Sequence, residues 1–243
     1  MNTDENEKKT AERVAQVVHE GQRTVPVERT PMVSKPSKIE AWRIFKIMSE
    51  FVEGFDLIRR YTLAASFFGS ARTAPGDRFY EEAVALSGRL AKDGFAVITG
   101  GSSGIMQAAN KGAFEAGGAS IGLNINLPNA QRYNPFLTDR FVFDHFFVRK
   151  VMLTFASEVY VYFPGGFGTL DEFFEIVTLV QTKKIRRVPI VLVGKDYWEP
   201  ILAMIRQTLF HGFKNIDEED MGLYTLVDSV DEAYDYIVAN VPR

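Results

Sequence analysis

The residues with chemistry to offer are concentrated in one stretch, Pro164-Gly165-Gly166-Phe167-Gly168-Thr169-Leu170-Asp171-Glu172. Before it runs Val159-Tyr160-Val161-Tyr162-Phe163, aromatic and β-branched without a charge, the composition of a buried strand. After it, Phe173, Ile176, Val177 and Val180 recur at helical spacing. The stretch therefore reads as strand, glycine turn and helix, with Thr169 or Gly168 near the N-cap and the helix running to Gln181. A helix N-terminus presents N–H groups without partners and the positive end of a dipole, and glycines let an anion approach that backbone closely. Three glycines in four residues exceed what a tight turn requires, which favours a bound phosphate or carboxylate over a plain connection. Asp171 and Glu172 either face such a ligand or simply complement the dipole.

Two more glycine turns follow strand-like runs: Gly69-Ser70-Ala71-Arg72 after Leu63–Phe68, and Thr99-Gly100-Gly101-Ser102-Ser103-Gly104 after Phe95–Ile98. Neither has the G-x-G-x-x-G spacing of a dinucleotide fingerprint, and no G-x-x-x-x-G-K-[ST] P-loop occurs. Small anion turns gathered at one edge suit a monophosphate and a ribose better than a dinucleotide.

These turns need a frame. The spacing predicts helices over Phe79–Lys92, Ile105–Ala116, Phe147–Ser157, Tyr197–Phe210 and Ser229–Val241. It predicts further strands at Ser120–Leu123, Arg140–Phe143, Pro189–Val193 and Tyr224–Val227, with an irregular loop over Asn124–Asp139. Strands alternating with helices imply an α/β fold, a mainly parallel sheet covered on both faces, whose ligands sit at the C-terminal strand ends. Residues 1–38, with Pro26, Pro31 and Pro36, read as a mobile arm with a short helix at Thr10–His19, and residues 39–243 as a single domain. Ile39–Arg60 reads as an extra amphipathic helix, its stripe of Trp42, Phe45, Met48, Phe51 or Val52, and Phe55 resting on the domain or on a partner.

Composition narrows the chemistry. A net charge of −3 gives no electrostatic case for nucleic acid or an anionic membrane. With no cysteine there is no thiolate nucleophile or zinc–cysteine site, and His19, His145 and His211 are too scattered for a histidine metal cluster. No apolar run approaches the ~20 residues that span a bilayer, and the acidic, polar N-terminus does not resemble a signal peptide, so a cytoplasmic protein is expected.

Pro164–Glu172 resembles the P-G-G-x-G-T-x-x-E signature of the Lonely Guy family of cytokinin riboside 5′-monophosphate phosphoribohydrolases. Gly100-Gly101-Ser102-Ser103-Gly104-Ile105-Met106 resembles its second motif, Arg149-Lys150 its Arg-Lys pair and Phe68-Gly69-Ser70 its first-strand turn. The four motifs stand in the family's order from about Leu63 onward. The resemblance implies a Rossmann-like doubly wound fold, a dimer, and hydrolysis of a nucleoside 5′-monophosphate to free base and ribose 5-phosphate; a homodimer or higher homo-oligomer without metal or other cofactor is expected. It assigns catalysis to Glu172, opposing charge on the ribose, and to Arg149, on the phosphate or the departing base. Substrate binding falls to Gly69, Ser70, Gly101, Ser102, Gly104, Met106, Lys150, Gly165, Gly166, Phe167, Gly168, Thr169, Asp171 and Thr178. Some members carry a lysine decarboxylase label, but no lysine here has a recognisable Schiff-base context. The related molybdenum-cofactor carriers supply the rival reading, nucleotide or cofactor binding without turnover.

Taken without the family, Glu172 reads as a surface acid on a helix dipole, Arg149 as a solvated charge, Thr178 as a packing residue and His145 as structural. Glu175, one turn beyond Glu172, reads as a second site carboxylate or as an exposed neighbour. One departure stands out: bacterial relatives often have Leu-Pro-x-Glu-Gln in the loop after the third strand, whereas this chain has Leu127-Pro128-Asn129-Ala130-Gln131.

Overall fold

The computed structural model describes residues 41–127 and 134–242. The arm, the Thr10–His19 helix and the departure at Ala130 lie outside the described residues.

Strands with apolar residues on both faces require cover on both faces, and the chain supplies it for all but the edge strand Asp139–Phe143, which carries two charges. In order, the elements are α1 (Ala41–Ile58), β1 (Ala64–Phe68), α2 (Arg78–Lys92), β2 (Ala96–Thr99), α3 (Ile105–Glu115), β3 (Ser120–Ile125), β4 (Asp139–Phe143), α4 (Phe146–Phe155) and β5 (Val159–Tyr162). There follow α5 (Phe167–Gln181), β6 (Ile190–Val193), α6 (Lys195–Met204), β7 (Thr225–Val227) and α7 (Val230–Asn240). The seven strands form one sheet in the order β4-β3-β2-β1-β5-β6-β7, each pair parallel. Alternation along β5 divides the core: Tyr160 and Tyr162 enter the layer with Met152, Phe173 and Trp198, while Val159 and Val161 enter the layer with Leu86, Leu90, Ile105 and Ile237. The chain is thus a doubly wound, Rossmann-like α/β fold. Among the described residues no helix is long and apolar enough to cross a membrane.

Several boundaries differ from the sequence reading, three of them for a clear local reason. Helix α5 starts at Phe167 with Gly166 as N-cap, ahead of the expected Gly168 or Thr169, because Gly166 already has the extended backbone of a cap and Leu170 N–H reaches its carbonyl. Strand β3 runs on to Ile125 because β4 pairs with it as far as Ile125 opposite Phe143. Helix α6 gives way at Ile205 to a π-helix through Gly212, where the expected helix continued regularly to Phe210.

The stripe expected on helix α1 does not rest on the domain. Trp42 is 80% exposed, and Phe45, Met48, Val52 and Phe55 are exposed with it. The inward side is made by Leu57 and Ile58, with Ile47 and Phe51 packed against the core, and by Gly54, where a Cβ would lie 2.7 Å from Met152 Sδ. That side also buries a carboxylate, Glu50. Its Oε1 accepts from Asp144 N–H at 3.3 Å and lies 2.9 Å from His145 Nδ1, while Oε2 accepts from His145 N–H at 3.2 Å. His145 is the N-cap of α4. Helix α1 thereby ties down the start of the helix that carries Arg149 and Lys150.

Removing that carboxylate strands two part-buried backbone donors and a histidine. Glu50→Ala should lower the unfolding free energy by about 2 kcal/mol, measured as a shift of the urea midpoint; an unchanged midpoint would show that the tie carries no stability.

Candidate active site at the β1/β5 crevice

Strand order reverses between β1 and β5: from β1 the chain winds outward through β2 and β3 to β4, then returns to lay β5 on the other side of β1. Consecutive connections leave on opposite faces here, which opens a crevice at the C-terminal strand ends. A cleft of ≈ 800 Å³ lies there, lined by Phe68–Thr73 after β1, by Pro164–Thr169 with Asp171 and Glu172 after β5, and by Gly100, Met106, Phe146, Arg149, Leu153 and Tyr197.

Glycine is required where the turns meet. Gly104 has φ +69°, and a Cβ there would strike the carbonyl of Ser70, which accepts from Ile105 N–H at 3.0 Å. The second turn is thereby locked against the first. A side chain at Gly100 would collide with Arg149 Nη2, so the guanidinium lies against this turn. The third turn is held by Ser70 N–H donating to Pro164 O at 2.9 Å and Tyr197 Oη–H donating to Gly165 O at 2.7 Å. No other atom lies within 4 Å of where a Cβ would stand on Gly166 or Gly168, which leaves open space before the first N–H groups of α5.

The expected site residues divide accordingly. Gly69, Ser70, Met106, Arg149, Gly165, Gly166, Phe167, Gly168, Thr169, Asp171 and Glu172 line the cleft. Gly101, Ser102 and Gly104 form the turn behind Gly100; Gly101, with φ +67°, packs against Asn124, whose Nδ2 donates to its carbonyl at 2.9 Å. Thr178 does not join them: it is exposed farther along α5, its hydroxyl donating to Phe174 O at 2.6 Å. Phe146, Leu153 and Tyr197 line the cleft unforeseen. Phe146 stands one turn before Arg149 on α4, a spacing that could have found it, whereas Tyr197 arrives from beyond β6 with no local signal.

Glu172 and its neighbours set the electrostatics. Glu172 is buried in the first part of α5, and its Oε2 has no hydrogen-bond partner. Oε1 lies 3.3 Å from Lys150 Nζ, which also contacts Asp171 Oδ2 at 2.6 Å and Glu175 Oε2 at 2.7 Å. Burial and then the Glu175 charge push the Glu172 carboxyl up to about 7, against the opposing pull of Lys150 and Arg149. Arg149 sits lower than an ordinary guanidinium because it is buried, with Glu172 acting the other way. Its Nε donates to Leu123 O at 2.8 Å, and its Cζ stands 5.7 Å from the centre of the Phe146 ring. A cleft with a guanidinium, a helix N-terminus and a carboxylate oxygen without a partner can bind an anion and stabilise positive charge beside it. Among the described residues no group of three histidines or carboxylates is placed to hold a metal ion.

The raised carboxyl affects stability. The ordinary value of 4.5 becomes about 7 in the folded chain, so between those pH values the native state binds a proton that the unfolded state has released. Stability from this group is fully present below pH 4.5 and is lost as pH rises through 7, by up to about 3 kcal/mol. Glu172→Gln, which cannot ionise, should therefore gain on the parent chain across that window in urea denaturation at stepped pH. A constant difference would contradict the buried carboxyl.

A family model described as "Possible lysine decarboxylase" matches residues 106–237. The chain is 24% identical over 155 residues to the cytokinin riboside 5′-monophosphate phosphoribohydrolase of Rhodococcoides fascians, covering 62% of this chain and 77% of that one. It is 29% identical over 160 residues to a probable enzyme of the same name from Oryza sativa subsp. japonica, covering 63% of each chain and so less than two thirds of the rice protein. Among solved structures, the molybdenum cofactor carrier protein of Chlamydomonas reinhardtii superposes with a TM-score of 0.53 at 26% identity, covering 73% of this chain and 96% of that one. The molybdenum cofactor binding protein of Rippkaea orientalis does so with a TM-score of 0.53 at 21% identity, covering 73% and 94%, a likeness of fold. The model match extends over more than half of the sequence, and residues of all three glycine turns line one crevice with Arg149: the chain belongs to the Lonely Guy family, whose model carries the lysine decarboxylase description.

Proposed function

We propose that the chain hydrolyses the N-glycosidic bond of purine nucleoside 5′-monophosphates, giving free base and ribose 5-phosphate. The observation that carries this reading is the buried Glu172 carboxylate, with one oxygen lacking a partner in a cleft that also holds Arg149 and the start of α5. The names of the phosphoribohydrolase relatives support it.

In this reading the phosphate rests on the Gly165–Gly168 turn and the first N–H groups of α5, with Gly69, Ser70 and Thr169 beside it. Scission of the C1′–N bond leaves its electron pair on the base and positive charge on the ribose. Ionised Glu172 stabilises that charge and accepts a proton from water as the water oxygen bonds to C1′; the proton ends on the base nitrogen. A carboxyl near neutrality suits both roles, ionised before attack and basic enough to take the proton. Arg149 holds the phosphate or the departing base in fork-like contact. The protein works as a homodimer or larger homo-oligomer, with the exposed face of α1 and Phe174 and Leu179 of α5 in the contact; light scattering at micromolar concentration should give at least twice the chain mass.

A second reading, binding of a nucleotide or the molybdenum cofactor without turnover, draws on the likeness to the Chlamydomonas carrier protein. Incubation with AMP separates the two: free adenine and ribose 5-phosphate are expected, and binding without either product across several nucleotides would favour the carrier. Glu172→Gln should lower turnover by about 10²–10³ with little loss of nucleotide affinity, whereas Arg149→Ala should weaken affinity as well. Near-normal turnover in Glu172→Gln would remove that residue from the mechanism.

A further inference from the structure

Lys150 falls on a position where the resemblance implies substrate binding, yet it does not line the cleft. Its ammonium lies between three carboxylates, 2.6 Å from Asp171, 3.3 Å from Glu172 and 2.7 Å from Glu175. Three acids around one cation leave no vacant coordination for a phosphate, whose charge would meet the excess of carboxylates. We propose instead that Lys150 is a positioning residue: it holds Oε1 of Glu172 in place at the cleft wall, and together with Glu175 it sets the pH at which Glu172 is ionised.

The exposures single out Glu172 as the acid that depends on this cation. The Asp171 side chain is 57% exposed and that of Glu175 28%, whereas that of Glu172 is only 10% exposed. A dry carboxylate stays charged only through neighbouring charges. Those facing it are Arg149 and Lys150 from α4 and Asp171 and Glu175 from its own helix. From β5, Tyr160 and the Tyr162 hydroxyl approach the same turn, the latter donating to Glu172 O at 3.1 Å, and Arg72 lines the cleft from the turn after β1. Helix geometry gives Lys150 and Glu175 opposite effects. Lys150 crosses from α4 and favours the charged form, while Glu175, one turn beyond Glu172, opposes it.

The consequence for catalysis rests on the hydrolase reading; the consequence for the carboxyl does not. The ¹³Cδ resonance of Glu172, titrated in the full-length labelled chain, reads the midpoint directly, and the acid limb of kcat for AMP reads it through turnover. Lys150→Met should raise both midpoints by about one unit or more, Glu175→Gln should lower both, and Lys150→Arg, which keeps the charge, should stay close to the parent. Opposite shifts of one midpoint cannot come from a general loosening of the fold. The proposal is overturned if the two neutralising variants move the midpoint the same way or not at all, or if Lys150→Met raises KM for AMP with the midpoint fixed, the signature of a phosphate ligand. Should AMP not turn over, the hydrolase reading fails and the carbon titration still decides the role of Lys150. Should Lys150→Met not fold, Lys150→Gln, which also removes the charge, takes its place in the same titration.

Discussion

The crevice between β1 and β5 is the constraint on which the rest of the site depends. Parallel neighbours need long crossover connections, most of them helices here, and a chain that winds first one way and then the other must begin its two halves side by side. The first turns of both halves then emerge together, and no helix can cover the gap between them. Everything else fills that gap's walls: the first turn locks against the second through Ser70 and Gly104, the third is strapped to the first through Ser70 N–H and Pro164 O, and α5 begins where the three converge. The chemistry is placed by topology before any side chain is chosen.

Side chains then add a tension that the fold must support. Burying Glu172 beside Glu175 works against folding at neutral pH, and Lys150 relieves only part of it. The compensation lies in the helices that meet there. Helix α4 is fixed at its start by Glu50 from α1, and the Tyr162 hydroxyl of β5 holds the Glu172 carbonyl. A strained site on anchored elements is the arrangement expected where function sets the residue and stability gives way.

Much of this was legible in the sequence, because two periodicities and glycine spacing carry local information. The uncharged run Val159–Phe163 and the three glycines after it could be little other than strand and turn, and the alternation of such units gave the sheet. What was illegible depends on contacts between distant segments. Lys150 and the carboxylates of α5 are some twenty residues apart, and nothing in either segment says that one ammonium faces three acids. The stripe on α1 has the expected period but does not pack on the domain: Gly54 and Glu50, which decide the inward face, look unfavourable for a core until Met152 and the amides at Asp144 and His145 are seen opposite them. Thr178 has the helical register of α5 but lies too far along it to reach the cleft. The π-helical turn after α6 is invisible to a pattern search built on a period of 3.6.

The floor beneath the cleft is a single paired surface. β1 and β5 are hydrogen-bonded neighbours in register from Ala65 opposite Val159 to Phe68 opposite Tyr162, and the last pair stacks with ring centres 5.0 Å apart. A crevice between separate lobes can open by hinging, but these walls rise from adjacent strands of one continuous sheet, so the fold provides no axis about which they could swing. What can move at the mouth is smaller than an element: the side chains of Phe167, 94% exposed, and of Phe146, both of which line the cleft. Side chains of that kind move in picoseconds to nanoseconds, many orders faster than domain closure. The floor of this crevice is thus fixed by backbone pairing, and the quickest adjustment open to its mouth is a change of rotamer.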